Sequence, residues 1–174
     1  MNQDTSIRSI ETKFQGYHFR SRLEARWAVF FNKLGIDFWY EPEGYEFNGM
    51  RYLPDFYLPQ VGMIAEVKPS LLTVSERSKA ERLCLHLDKP IVLLVGPPDF
   101  KVYDCLWKWA DGEIVSDDVL LDVDCHYRRY YQDEHRFYAS CGGFWTLPEH
   151  FTKQYKEAVY ASREARFDAG DATK

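Results

Sequence analysis

A chain of 174 residues with 45% hydrophobic and 17% aromatic residues can bury a sizeable core in one domain, which excludes a disordered chain. No apolar run approaches the length of a membrane span, so no membrane partner is expected, and a net charge of -5 argues against indiscriminate binding to nucleic acid. The charge is uneven: Lys13, Arg20, Arg22, Arg26 and Lys33 surround a single acidic residue, Glu24, whereas eight acidic residues between Asp99 and Asp124 face only Lys101 and Lys108. An anionic partner is expected at the N-terminal third.

The opening MNQDTSIRSIETK is polar and lacks the apolar centre of a signal peptide, so cytoplasmic residence is expected. Residues 1–11 and 168–174 read as flexible tails around one domain at 12–167. In SRLEARWAVFFNKLG, Leu23, Trp27, Phe30, Phe31 and Leu34 recur at helical spacing, and Gly35 stops the helix. IDFWYEPE reads as a strand. YEF and MRY flank Asn48-Gly49, which suits the type I′ turn of a hairpin. LPDFYLP and GMIAEVK are two short strands. TVSERSKAERLCLHLD is an amphipathic helix with Leu83 and Leu87 on one face, and KPIVLLVG reads as a strand buried on both sides. Strand, helix and apolar strand imply a right-handed parallel crossover. Short strands follow (KVYDCLWKW, GEIVS, VLLDVD, RFYAS), and PEHFTKQYKEAVYASREARF is a final helix. The fold class is α/β, a mixed β-sheet flanked by helices.

Three charges fall where packing favours apolar residues. Glu66 and Lys68 point to the same side of their strand, about 6 to 7 Å apart along it. A hairpin partner carrying Asp55 can bring its carboxylate beside Glu66, and two close carboxylates repel unless a cation intervenes. A divalent metal with oxygen ligands is the natural cation. Alternatively, Glu66-Val67-Lys68 is an exposed strand face that takes part in a cross-strand ion pair. Glu24 lies on the apolar arc of the first helix, where a carboxylate needs a partner. It is also the last residue of Ser21-x-x-Glu24, a capping-box pattern.

Glu24 on a first helix, Pro54-Asp55 on one strand and Glu66-Val67-Lys68 on the next resemble the PD-(D/E)XK nuclease superfamily. The longer FRSRLEARWAVFFNKLGIDFWYEPEGYEF, followed by YLPDFYLP and EVK, is similar to small phage and bacterial nuclease-like proteins and to phage junction-resolving endonucleases. The resemblance covers about residues 14–96 and implies a restriction-endonuclease-like core, with 97–167 a C-terminal elaboration carrying no recognised motif. Pro69, directly after the lysine, departs from the usual small residue. The resemblance implies a metal-dependent endonuclease that hydrolyses DNA phosphodiester bonds, on branched, nicked or single-stranded forms, with RNA not excluded. Asp55, Glu66 and the Val67 carbonyl would hold Mg2+ or Mn2+. Lys68 would position the attacking water, and Glu24 would bind a second metal or a metal-bound water. Arg20 and Arg22 are candidate contacts to the DNA backbone.

Other clusters have blander readings. Cys125, His126, His135 and Cys141 have no CxxC knuckle, and buried thiols and surface histidines explain them better than zinc. Asp117, Asp118, Asp122 and Asp124 read as a solvated acidic face. YRRYY, Tyr127 to Tyr131, can stack on unpaired bases or form half-exposed strand aromatics. GFW and the tyrosines of the last helix suit a core or a homodimer contact. Two other functions remain open: a catalytically silent nuclease-like subunit that binds nucleic acid or protein in a phage or defence complex, and a plain interaction module.

Overall fold

The computed structural model describes residues 9–119, 121 and 151–167. The chain opens with a hairpin, β1 (Thr12–Phe14) and β2 (Tyr17–Phe19), reversed at Gln15 and Gly16 with φ of 49° and 83°. The sequence reading assigned no element here, because each arm is only three residues long. Helix α1 (Arg22–Leu34) follows. The Glu24 N–H donates to the capping hydroxyl of Ser21 at 3.1 Å, and Gly35 closes the helix at φ 71°.

Strand β3 (Trp39–Tyr40) is shorter than IDFWYEPE suggests. Glu41 adopts a left-handed backbone with φ 45°, and Pro42 has no N–H to offer a ladder. Strands β4 (Tyr45–Phe47) and β5 (Met50–Tyr52) form the expected hairpin, with Asn48 and Gly49 at φ 48° and 70°. They stand apart as their own two-stranded sheet. Strands β6 (Phe56–Leu58) and β7 (Met63–Lys68) pair antiparallel. Helix α2 (Val74–Leu87) begins with a full capping box of Thr73 and Glu76 and leads into β8 (Ile91–Val95), which runs parallel to β7.

Strand β9 (Tyr103–Lys108) lies where KVYDCLWKW predicts it. The next strand, β10 (Ile114–Val119), joins GEIVS to the start of VLLDVD in one element. Ser116, Asp117 and Asp118 pair with Leu106, Cys105 and Asp104. Among the described residues β10 ends the sheet, a place where charge deters further pairing, and its polar residues hide it from an apolar pattern. Helix α3 (Lys153–Glu164) starts at its Thr152 cap, later than Pro148, and ends before Phe167. RFYAS, Tyr127–Tyr131, Asp122, Asp124, GFW and the four candidate zinc ligands lie outside the described residues.

Among the described residues, the main sheet has six strands in the order β10-β9-β8-β7-β6-β3, mixed because β7 and β8 are parallel and the other pairs antiparallel. Alternation divides its faces. Phe56, Ala65, Val67, Val92, Leu94 and Cys105 join the core formed with α1 and α3. Ile64, Ile91, Leu93 and Leu106 turn to the other face, with Leu83 and Cys84 of α2 and Phe47 of the hairpin. On the first face, Phe30 and Tyr155 meet edge to face at 5.2 Å. Arg26, counted above among the basic residues, donates to the Ser162 and Arg163 carbonyls at the end of α3, the second at 2.7 Å. It therefore caps a helix, where a cation is favoured. Among the described residues, no helix is long and apolar enough to cross a membrane.

Candidate active site

The pleat of β7 turns Ala65 and Val67 into the α1–α3 core, so Glu66 and Lys68 point to the α2 side. The register Phe56↔Ala65, continued by one residue, sets Asp55 opposite Glu66. Asp55 stands just before β6 rather than within it. The two carboxylates are 5% and 2% exposed, so both have left water.

Asp55 is fully engaged. Its Oδ2 accepts from the Val67 N–H at 2.7 Å, and its Oδ1 accepts from Arg20 Nη2 at 2.5 Å. Glu66 is not: Lys68 Nζ lies 3.5 Å from Oε2, while Oε1 is buried without a hydrogen-bond partner. A buried carboxylate oxygen with no donor is costly unless something else satisfies it. Burial pushes the Asp55 carboxyl above its ordinary range despite the Val67 N–H, with the Glu24 charge adding to the rise. Burial also raises Glu66, then the Asp55 charge raises it further, and Lys68 and the Tyr52 hydroxyl only partly offset this. Tyr52 is raised in turn, first by its burial and then by the Glu66 charge.

These groups open into a cleft of about 280 Å³ lined by Arg20, Arg51, Tyr52, Asp55, Glu66 and Lys68, with Glu76 and Lys79 from α2. Glu24 approaches from α1, on the other face of the sheet, so it meets this group only around the strand ends. Its Oε2 accepts from the Tyr40 hydroxyl at 2.6 Å and the Arg20 N–H at 3.1 Å, and its Oε1 from Ser21 at 2.8 Å. Glu24 thus braces the helix cap through Ser21 and the Arg20 N–H rather than through the Ser21 N–H that a full capping box uses, and among the described residues it does not join Asp55 and Glu66 in one ligand cluster. Arg22 is exposed in the first turn of α1, outside the cleft lining.

Sequence reasoning missed Tyr40, Glu41, Tyr52 and Lys79. Arg20 Nε lies 2.6 Å from Glu41 Oε1, a close ion pair whose angle falls short of a hydrogen bond. The break of β3 at Glu41-Pro42 was the available signal for Glu41. Tyr52 and Lys79 join only once the hairpin and α2 fold over the same face.

Among the described residues, no three His, Cys, Asp or Glu side chains converge to hold a metal ion. Two carboxylates do suit Mg2+, which keeps several waters and is bound through one or two carboxylates plus substrate phosphates. The unpartnered Glu66 Oε1 and the raised carboxyl pair are consistent with a cation there. No protein-family model matches the chain, and no curated protein or solved structure matches it either.

Proposed function

We propose that this chain is a metal-dependent nuclease with a restriction-endonuclease-like core, of the PD-(D/E)XK kind, that hydrolyses phosphodiester bonds of DNA. The observation that carries the reading is the buried Asp55–Glu66 pair, with one carboxylate oxygen unpartnered, beside Lys68 in an open cleft. Asp55, Glu66 and the Val67 carbonyl would hold Mg2+ or Mn2+, which supplies a water of lowered pKa and neutralises charge building on the phosphate. Lys68, held near Glu66, would orient the attacking water or stabilise that charge. Glu24 would bind a second metal or a metal-bound water at the edge of the site. Arg20, Arg22, Arg51 and Lys79 meet the phosphate backbone. Among the described residues, the acidic residues of β10 lie at the far end of the strand order from β6, so the field favours a polyanion at the β6–β7 end.

One observation favours a second reading, a catalytically silent nucleic-acid- or protein-binding subunit: Arg20 already fills Asp55 Oδ1. A cleavage panel separates the two. Linear, single-stranded, nicked and four-way DNA, plus RNA, are incubated with Mg2+ or Mn2+ and either the wild type or Asp55→Ala. Cation-dependent cutting lost in the variant supports the nuclease. Binding without cutting on every substrate supports the silent subunit.

A further inference from the structure

The Arg20 guanidinium is forked between two carboxylates, with Nη2 at 2.5 Å from Asp55 Oδ1 and Nε at 2.6 Å from Glu41 Oε1. Its backbone is pinned, the N–H lying 2.9 Å from the Tyr40 hydroxyl and 3.1 Å from Glu24 Oε2. Its side chain is 51% exposed at the mouth of the cleft, so the head can move while the backbone stays. Glu41 is held at φ 45°, a conformation that strains a non-glycine residue, and its N–H donates to the Asp55 carbonyl at 2.9 Å. The strained residue thus ties its backbone to Asp55 and offers its carboxylate to the arginine that covers Asp55.

We propose that Arg20 gates the cation site: guanidinium and metal compete for Asp55 Oδ1, and Glu41 holds the arginine when the metal takes its place. The proposal rests on Asp55 being a cation ligand, as read above. Two positive groups cannot share one carboxylate oxygen at contact distance without strong repulsion. Metal entry and the departure of Arg20 from Asp55 are therefore one event. The swung guanidinium, still anchored by Glu41, then faces the cleft where a phosphate would lie. Arg20 acts here as a positioning residue for the metal, apart from any contact with nucleic acid.

The test is the affinity of the full chain for Mn2+ without nucleic acid, read from the electron paramagnetic resonance signal of free Mn2+ at pH 7.5. Arg20→Gln binds Mn2+ about tenfold more tightly than the wild type, because a charge-assisted bond no longer competes. Arg20→Lys, which cannot fork between both carboxylates, also tightens binding, and serves if the glutamine variant fails to fold by circular dichroism. Lys33→Gln removes a charge from the exposed far end of α1 and leaves the affinity at the wild-type value. Equal or weaker binding by the Arg20 variants, with the wild type still binding, overturns the gate alone. Absence of Mn2+ binding in every protein at millimolar metal overturns the cation reading and the gate with it.

Discussion

Two groups of charges sit on the α2 side of the same sheet and are handled differently. At β9, Asp104 lies 2.6 Å from Arg77, which also lies 3.3 Å from Glu81, and all three side chains stay about a third exposed. At β6 and β7, Asp55 and Glu66 are withdrawn from water, press on each other, and leave one oxygen unpartnered. Surface pairs like the first contribute little and cost little. Buried like charges like the second are expensive, and such groups concentrate at functional sites. The difference teaches where to look for chemistry: at the charges the fold leaves incompletely satisfied.

The contrast breaks most visibly in catalysis. Asp55→Asn and Lys68→Ala each lower Mg2+-dependent cleavage by at least about 10²-fold, the scale of losing one preorganised electrostatic group. Asp104→Asn leaves the cleavage rate near the wild-type value. A steady-state assay on the substrate found in the cleavage panel measures both, and equal losses at the two sites would erase the distinction.

Stability then moves in the opposite sense. Both raised carboxyls keep protons in the folded protein that the unfolded chain has already lost. The folded state binds more protons, so without divalent cations stability falls as pH rises. The fall begins in the ordinary carboxylate range, about pH 4, and continues until both groups ionise in the folded protein, at up to about 1.4 kcal/mol per pH unit for each proton. Thermal melts across pH in a chelator show this decline, and millimolar Mg2+ flattens it. A melting temperature that instead rises with pH through this window would contradict the assignment.

Single substitutions sharpen the same contrast. Glu66→Gln abolishes cleavage yet raises the metal-free melting temperature at pH 8 by about 2–4 °C, equivalent to roughly 1 kcal/mol in a chain of this size. Asp104→Asn lowers stability instead, by about 0.2–1 kcal/mol, because only a part-exposed ion pair is lost. Calorimetry on both variants checks the opposite signs. The smallest effect is at Tyr52. Its hydroxyl favours the ionised Glu66, so Tyr52→Phe weakens Mn2+ binding about threefold, within the worth of one hydrogen bond.

Much of this was legible in the chain. The 3.6-residue recurrence from Leu23 to Leu34, the Asn48-Gly49 turn and the apolar run at Ile91–Val95 each follow from local physics, and each has its element. The alternation of Glu66 and Lys68, and a hairpin bringing Asp55 alongside, came from the pleat and are present. What escaped depended on distant partners. Asp117 and Asp118 lie in a strand because β9 offers a ladder, not because their sequence favours one. Arg26 looked like surface charge until α3 presented its carbonyls. Glu41 became a site residue only through a left-handed backbone and an arginine twenty-one positions away.

The central claim is that Asp55 and Glu66 share a divalent cation. The most direct measurement is an anomalous difference map at the manganese edge, from crystals grown with Mn2+. The account predicts a single strong peak bridging the Asp55 and Glu66 carboxylates, with Arg20 turned from Asp55 toward Glu41. Crystals grown in saturating Mn2+ with no peak there, and Arg20 still bonded to Asp55 Oδ1, would contradict it.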